Sequence, residues 1–241
     1  MMGAIHLART PTIRASFVIF VACGVTQAVF AANGYLRPGA VDPVTLLCSP
    51  PQAGSAEQQC DLASVQRAFK NRSQEDIAHG YAELDFNLFS FTSSVGPILQ
   101  AGKLPKTEAM FKRALGDTKA ITDIGKNHWE RPRPYDIDPD LLDGEKEASF
   151  SYPSGHSTRA TVYALLLVEL FPEDREAILA QGRQIGWDRV VLGKHYPTDI
   201  YAGRVLAQAI VRELLADKKF QQDFAASKAE IEQAHLQPAL K

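Results

Sequence analysis

A histidine, a carboxylate and a permanently charged cation lie close together in residues 187–199. Arg189 precedes His195 by six positions, and Asp199 follows it by four. Pro197 favours a helix start between the two, which would let the Asp199 carboxylate turn back toward one imidazole nitrogen. The other nitrogen would then carry a free lone pair, as a nucleophile or a general base requires. An incidental His–Asp pair in a surface loop is the alternative interpretation, so other segments must decide.

A candidate anion site lies at Ser154-Gly155-His156, directly after Pro153. These residues begin the most apolar predicted helix, so their backbone N–H groups have no partner within the helix. Glycine permits close approach of an oxyanion, and the helix dipole favours negative charge there. His156 at the same edge can donate a proton to a leaving oxygen. A plain capped helix start is the alternative.

Two further cations lie upstream, at Lys126 and Arg133. They are seven positions apart, and Pro132 and Pro134 enforce the end of a helix beside the arginine. The lysine and the arginine can therefore converge on one ligand. Arg131 is assigned to a surface or structural role. Taken alone, the pair is equally compatible with an ordinary charged helix end.

The apolar pattern of the chain indicates helices and almost no strands. Between residues 197 and 216, for example, Ile200, Gly203 and Ala207 recur at the spacing of one helix face. No internal repeat is present. The sequence therefore predicts an all-α fold, a compact single-domain bundle. The predicted helices cover residues 61–71, 73–99 with a kink or end at 96–97, 107–115, 117–129, 154–171, 173–191, 197–216 and 218–236.

Residues 1–31 have the features of an export signal. Arg9 and Arg14 precede an apolar run, and small residues follow up to Ala31. The mature chain would then be a single domain of residues 32–241, periplasmic or secreted. A retained membrane anchor and a lipid-modified cysteine within the same segment are the alternatives.

Loss of this segment would leave a mildly acidic protein. It removes two of the 26 basic residues and none of the 28 acidic ones, so the net charge changes from −2 to −4. No basic stripe remains, so nucleic acid is not an expected partner. About 210 residues are enough for one sizeable core. No other apolar run approaches membrane length, so we expect no stable membrane insertion after signal cleavage.

Cys48 and Cys60 would be the two cysteines of the mature chain, with eleven residues between them. Export permits a disulfide, and the turn-forming residues 49–55 could close the loop. We therefore predict a bond between them, with two free thiols as the alternative. No histidine or second cysteine pair stands nearby, so a zinc site is not expected.

Three motifs with charged and histidine residues follow one another in a fixed order. They are Lys126-x6-Arg133-Pro134, Pro153-Ser154-Gly155-His156 and Arg189-x5-His195-x3-Asp199. In this order they resemble the signature of the type 2 phosphatidic acid phosphatase and vanadium haloperoxidase superfamily. The soluble, exported branch that the chain most resembles is the class A bacterial non-specific acid phosphatases, and the similarity extends from Tyr35 to Arg204.

The resemblance implies a metal-independent acid phosphatase that needs no cofactor and acts on small phosphate monoesters. His195 would attack phosphorus to give a phosphohistidine, with Asp199 orienting the ring. His156 would protonate the departing alkoxide and then act as base for the hydrolytic water. Because His156 must begin protonated, we expect an acidic optimum. The phosphate-binding groups would be Lys126, Arg133, Arg189 and the backbone of Ser154 and Gly155.

One position departs from the family pattern. The family usually has serine before the arginine of the third motif, and this chain has Asp188. A carboxylate so near a phosphate site would oppose anion binding. We therefore expect Asp188 to turn away and to cap a helix or pair with a cation.

The run Asp136-x-Asp138-x-Asp140 resembles the opening of a calcium loop, with Glu147 at its twelfth position. However, Leu141 replaces the glycine that the turn of such a loop requires. An acidic, solvated loop near the mouth of the site is the preferred interpretation.

Two other functions remain open at this stage. A vanadate-dependent haloperoxidase would use the same anion cradle, although such proteins are typically much larger. A phosphate-binding protein without catalysis would need the cations but not His195, Asp199 and His156 together. The natural substrate and a homo-oligomeric state cannot be read from these motifs.

Overall fold

The computed structural model describes residues 34–236, and every regular element in this range is helical. The all-α prediction is therefore confirmed. The predicted signal segment, residues 1–31, lies outside the described residues, so the export assignment stays a prediction. The α-helices are α1 (Pro43–Leu46), α2 (Ala56–Asn71), α3 (Gln74–Ala82), α4 (Thr92–Val95), α5 (Pro105–Trp129), α6 (Pro134–Ile137), α7 (Gly155–Leu170), α8 (Arg175–Val191), α9 (Pro197–Ala216) and α10 (Lys218–Leu236), with 3-10 turns at Leu88–Phe91, Pro139–Leu141 and Pro172–Asp174.

Helix α7 is the centre of the bundle and packs mainly against α8 and α9. Its residues are apolar on nearly every side because it is covered on several faces. Two glycines let the neighbours approach closely. A Cβ at Gly182 in α8 would lie 2.8 Å from the Cβ of Ala164, and one at Gly203 in α9 would lie 2.8 Å from the carbonyl oxygen of Ser154. The start of α9 is thereby held beside the start of α7.

Helix α5 packs against α7 on one side and α10 on the other. It is continuous, whereas the sequence predicted a break at residue 116. The cost of a glycine inside a helix is only about 1 kcal/mol, and packing along the whole length of α5 outweighs it. Asp117 then serves another purpose: its Oδ2 accepts the backbone N–H groups of Tyr35 at 2.7 Å and Leu36 at 3.0 Å, which ties the first described residues to the bundle.

The single helix predicted for residues 73–99 is three short elements, α3, the 3-10 turn Leu88–Phe91 and α4. Asn87 explains the interruption. Its side chain accepts the N–H of Phe89 at 2.9 Å, which starts a new turn in place of continuing the previous helix. The periodicity identified helical residues here but could not detect this competing local bond.

The predicted disulfide is wrong. Cys48 and Cys60 are both free thiols and both are exposed. Cys48 lies in the extended stretch after α1, whereas Cys60 lies on a solvent-facing position of α2. A short separation along the chain does not bring two Cβ atoms within the distance of roughly 4 Å that a disulfide needs.

No helix between residues 34 and 236 combines the length and the apolarity that crossing a bilayer requires.

Candidate active site

The turn between α8 and α9 brings the third motif together. Gly193 occupies it with φ at +68°, and a Cβ there would lie 2.4 Å from the carbonyl oxygen of Leu141, so only glycine fits. The reversed chain folds back onto the end of α8. The carbonyl oxygen of Arg189 accepts the N–H of Lys194 at 2.8 Å and of His195 at 3.1 Å. Arg189 and His195 are therefore fixed side by side.

His195 is 1% exposed and has its two ring nitrogens in different surroundings. Nδ1 lies 3.1 Å from Asp199 Oδ2, as the i, i+4 spacing predicted, and Nε2 lies 3.3 Å from Nη1 of Arg133. Burial, followed by the charges of Arg133 and Lys126, lowers the pKa of His195 well below 6.5. A neutral ring with its proton on Nδ1 leaves a lone pair on Nε2.

Asp199 is completely buried and holds His195 through a saturated network. Its Oδ2 accepts the Ser151 hydroxyl at 2.5 Å and the backbone N–H of Tyr196 at 2.9 Å, in addition to His195. Its Oδ1 accepts Nη1 of Arg131 at 2.6 Å. Both Ser151 and Arg131 escaped the sequence prediction as members of this site, because neither stands at helical spacing from Asp199.

Arg131 is buried, so of the surface and structural roles that the sequence left open, its position fits the structural one. Its Nη2 reaches Asp61 at 2.8 Å on α2, and its guanidinium lies 3.9 Å from the ring centroid of Tyr196. Asp61 also accepts the N–H of Thr198 at 3.2 Å. Arg131 thus links α2 to the first turn of α9, where Asp199 sits.

Arg133, the arginine of the first motif, is also almost wholly buried. Its Nε donates to the carbonyl oxygen of Ser149 and its Nη1 to that of Lys194, both at 2.8 Å. Lys126 lies close by and donates to the carbonyl oxygen of Phe150. Burial, together with the charge of Arg133, lowers the pKa of Lys126 to about 7. The first motif therefore converges on His195, as the sequence predicted.

Arg189 is 1% exposed and has hydrogen-bonding capacity to spare. Its Nε and Nη1 atoms are buried and have no partner among the described residues. Unpaired buried donors are costly, so such atoms call for a ligand or another explanation. An anion bound beside His195 would provide that partner.

Glu147 is a further residue of this site that the motifs did not indicate. Its Oε2 lies 2.9 Å from Nη2 of Arg133, and its Oε1 contacts Nη2 of Arg189. One carboxylate therefore bridges the two arginines. The sequence suggested only a position in an acidic loop near the mouth of the site.

The start of α7 differs in one respect from the expectation. The backbone N–H of Ser154, predicted to bind phosphate, donates instead to the carbonyl oxygen of Asp199 at 3.1 Å. The Ser154 hydroxyl accepts the backbone N–H of Ser157 and so caps the helix. Gly155 and His156 are the first residues of the helix, so their N–H groups have no partner within it. The available donors are therefore shifted by one residue along the chain.

His156 lies beside the cavity and its Nε2 is 2.9 Å from the carbonyl oxygen of Leu84. Burial and the charge of Arg189 lower the pKa of His156 well below 6.5. With these neighbours alone the ring is neutral, which corrects the expectation that it starts protonated. A phosphate dianion placed next to His156 would raise the pKa of the ring, because it stabilises the charged form.

Asp188 turns away from the arginines, as predicted. Its Oδ2 lies 2.8 Å from Nδ1 of His79 on α3, and its Oδ1 accepts Nε2 of Gln184 at 2.7 Å. Burial raises the pKa of Asp188. The substitution of the usual serine is thus absorbed by a contact with α3.

A cavity of about 490 Å³ opens next to these groups. His195, Arg133, Lys126, Gly155 and His156 line it. The remaining lining residues are Lys119, Thr122, Asp123, Glu147, Ala148, Ser149 and Arg159. A phosphate on the arginines would leave room here for the rest of a substrate.

Within residues 34–236, no group of three or more histidine, cysteine, aspartate or glutamate side chains is arranged to hold a metal ion. The carboxylates of the calcium-like run have separate partners. Asp136 accepts the N–H of Arg133 and pairs with Lys146, whereas Asp138 accepts Gln66.

Comparison with known proteins gives this arrangement a family. Residues 113–222 match the PAP2 superfamily. A protein named acid phosphatase from Zymomonas mobilis subsp. mobilis is 31% identical over 230 residues, which cover 89% of this chain and 86% of that protein. A non-specific acid phosphatase from Providencia stuartii is 28% identical, and the match covers 79% of this chain and 81% of that protein. The chain belongs to the PAP2 superfamily.

Both of these relatives are named as bacterial acid phosphatases, so the resemblance predicted from the motifs is confirmed and supports a phosphatase. A solved structure of similar fold is the transmembrane PAP2-type phosphatidylglycerolphosphate phosphatase of Bacillus subtilis. It has a TM-score of 0.51 at 25% identity, and the match covers 66% of this chain and 85% of that chain. Because that protein is named for a lipid phosphate, the shared fold alone does not define the substrate.

Proposed function

We propose that this protein is an exported acid phosphatase that hydrolyses small phosphate monoesters through a phosphohistidine on His195. The observation that carries the proposal is the asymmetry of that ring: Nδ1 lies 3.1 Å from Asp199, and Nε2 lies next to the buried Arg133. A neutral imidazole oriented in this way is an activated nucleophile. The acid phosphatase relatives support the same reaction class.

Phosphate binding would rest on positive charge and spare donors. Arg189 has two unpaired N–H groups, Arg133 lies 3.3 Å from Nε2 of His195, and Lys126 adds a compact charge. The N–H groups of Gly155 and His156 add donors at the start of α7. Phosphoryl transfer depends mainly on such positioning and charge neutralisation.

The reaction would proceed in two displacements at phosphorus. In the first, the lone pair on Nε2 of His195 forms the N–P bond as the ester P–O bond breaks, and His156 gives its proton to the departing alkoxide. In the second, water attacks phosphorus, His156 takes a proton from it, and the N–P bond breaks. Free His195 and inorganic phosphate result.

The substrate itself would bring His156 to its charged form. Burial and Arg189 keep the pKa of this ring low, but the negative charge of a bound phosphate stabilises the imidazolium. Activity would then require one proton more than the free enzyme holds near neutrality. This supports an acidic optimum.

A metal is not needed for charge neutralisation in this scheme, since Lys126, Arg133 and Arg189 supply the positive charge. We expect activity to survive dialysis against a chelator. The cavity next to Arg133 is also lined by Arg159 and Lys119, which suit polar or anionic leaving groups on small molecules. A hydrolysis panel that runs from sugar phosphates and nucleotides to a dispersed lipid phosphate would define the substrate class.

Rapid quenching tests the mechanism directly. During turnover of a labelled phosphate ester, we expect an acid-labile, base-stable phosphoryl group on His195. His195→Ala should trap none and should lose nearly all activity, by at least ~10⁴-fold. Label on His156, or full activity of His195→Ala, would disprove the assignment.

Export is a separate component of the proposal. We expect the protein recovered from the periplasm or medium to begin at Ala32, because small residues follow the apolar run up to Ala31. Mass spectrometry of the intact protein would measure this. A full-length chain in the membrane fraction would contradict it.

A further inference from the structure

The arginines proposed to bind phosphate already bind a carboxylate of the same chain. Glu147 places Oε2 2.9 Å from Arg133 and Oε1 against Arg189, so each of its oxygens meets one guanidinium. A phosphate would present two of its oxygens to the same pair of groups. Glu147 therefore has the charge and the contacts of a ligand.

The position of Glu147 also affects access to Arg189. Glu147 and Arg133 line the cavity, whereas Arg189 is not among the lining residues. The Glu147 carboxylate lies against Nη2 of Arg189 at the wall of this cavity. An anion that bridged the Nη2 atoms of Arg133 and Arg189 from the cavity would take the place of this carboxylate.

Glu147 is held far less tightly than the other carboxylate of the site. Its side chain is 28% exposed, and within residues 34–236 its polar contacts are with the two arginines alone, whereas Asp199 is 0% exposed and has four partners. Its neighbours Ala148 and Ser149 are exposed as well. The backbone N–H of Glu147 donates to the Tyr135 hydroxyl at 3.0 Å, which fixes the main chain and leaves the side chain able to rotate into solvent.

We propose that Glu147 is an internal competing ligand of the phosphate site: substrate must displace its carboxylate from Arg133 and Arg189, and the carboxylate's return promotes release of product phosphate. This rests on the proposed function, because it takes the two arginines to be the phosphate-binding groups. Glu147 thereby sets the affinity of the site.

The expected consequence is a uniform weakening of anion binding. A ligand that binds only the open form of a site has its apparent affinity reduced by the fraction of molecules in that form. Substrate and product phosphate compete with the same carboxylate, so KM and the inhibition constant of phosphate should change together.

The test is calorimetric titration of the full mature chain with inorganic phosphate, which needs no turnover. Glu147→Gln keeps the shape of the side chain and removes its charge. We expect at least ~5-fold tighter binding, the lower end of usual coupling between two ligands. KM for a phosphate ester and the inhibition constant of phosphate should fall by similar factors.

Glu145→Gln is the matched control. It removes the same charge, two positions away, from an exposed side chain, and the backbone carbonyl of Glu145, which accepts Nζ of Lys194, is unaffected by the change. An equal gain in this variant would show a general field effect and would overturn the proposal.

The sign of the change separates competition from a supporting role. Unchanged or weaker phosphate binding in Glu147→Gln would mean that the carboxylate does not compete or that it holds the arginines in place, and either result would overturn the proposal. Glu147→Ala, which removes the side chain altogether, should agree in sign. If Arg133→Ala binds phosphate as well as wild type, the phosphate site itself is misplaced and the proposed function fails. If that variant loses binding while Glu147→Gln does not gain it, only the present inference fails.

Discussion

The two nitrogens of His195 face groups of different kinds: a carboxylate whose two oxygens are both paired, Asp199, on the Nδ1 side, and arginines on the Nε2 side. On the Nδ1 side, Asp199 accepts Ser151, Tyr196 and Arg131 in a buried network that continues to Asp61. On the Nε2 side, Arg189 keeps two N–H groups without a partner among the described residues. On the same side, Glu147, whose side chain is 28% exposed, bridges Arg133 and Arg189.

We propose that the difference separates groups that orient the histidine from groups that bind and release a ligand. An orienting carboxylate gains from full pairing, because each partner restricts its position. A ligand-binding arginine must keep donors free, or must keep them on a partner that can leave. The following variants address one side at a time.

The largest effect is expected on the Nε2 side. Arg133→Ala and Arg189→Ala should each lower kcat/KM at least ~10²-fold, because each removes a preorganised donor for phosphate oxygens. Replacement by lysine should keep only part of the wild-type kcat/KM, since lysine lacks the fork geometry of the guanidinium. Steady-state kinetics measures this, with exposed Arg212→Ala as the control. If the variants lost only stability and kept normal kinetics, the proposed role of Arg133 and Arg189 in phosphate binding would be wrong.

His156 should show an effect that depends on the leaving group. His156→Ala should slow hydrolysis of an alkyl phosphate by about 10²-fold and that of p-nitrophenyl phosphate much less, because nitrophenolate leaves without a proton. Comparison of kcat for the two esters provides the measurement. Equal losses for both would show that His156 does not act as the general acid.

On the Nδ1 side, Arg131 is expected to act as a positioning residue. Arg131→Ala should reduce kcat by roughly 10- to 100-fold, as loss of a partner of a functional side chain commonly does. KM should change little, because Arg131 does not line the cavity. Arg131→Lys should recover part of kcat by keeping the charge beside Asp199. A rise in KM with unchanged kcat would place Arg131 in substrate binding instead.

The lowered pKa values of His195 and His156 predict a pH dependence of stability. Both rings are neutral in the folded protein and gain a proton below 6.5 when unfolded, so the unfolded state binds more protons there. Stability should therefore fall as the pH falls below 6.5, by up to about 1.4 kcal/mol per pH unit for each ring.

Urea unfolding at pH 6.5 and 5.5 measures this loss. It should be smaller in His156→Gln, which cannot gain the proton. Buried Asp188 has a raised pKa, so its protonation adds stability as the pH falls and partly offsets the loss from the histidines. The informative quantity is therefore the difference in stability loss between wild type and His156→Gln. An equal loss in both proteins would contradict a neutral His156.

The smallest effect should come from the cysteines. Cys48 and Cys60 are exposed and unbonded, so Cys60→Ser should change the free energy of unfolding by less than about 0.5 kcal/mol. A reducing agent should leave the unfolding midpoint unchanged. A drop in that midpoint on reduction would show that a disulfide forms after all.

Much of the site could be predicted from local spacing. His195 and Asp199 meet because four residues across a helix start place them on one face, and Lys126, Arg133, Gly155 and His156 line one cavity with His195. What could not be predicted depends on contacts between distant segments. Arg131 reaches Asp199 across 68 positions, and Ser151 does so across 48.

Glu147 shows the same limit more sharply, because its loop carries several acidic residues of similar local pattern. Glu147, and no other acidic residue of the described loop, bridges Arg133 and Arg189. This depends on the path of the loop past the end of α8. Likewise, Asp188 turns away from the proposed phosphate site because His79 on α3 lies 2.8 Å from its carboxylate.

The sequence by itself determined the helical class, the three motifs and the pairing of His195 with Asp199, since helical periodicity and short-range geometry act within a few residues. Only the tertiary structure decided which donors remain free, which carboxylate covers the arginines and which arginine holds Asp199. Those outcomes depend on side chains brought together from separate helices, and pairing in three dimensions leaves no periodic trace along the chain.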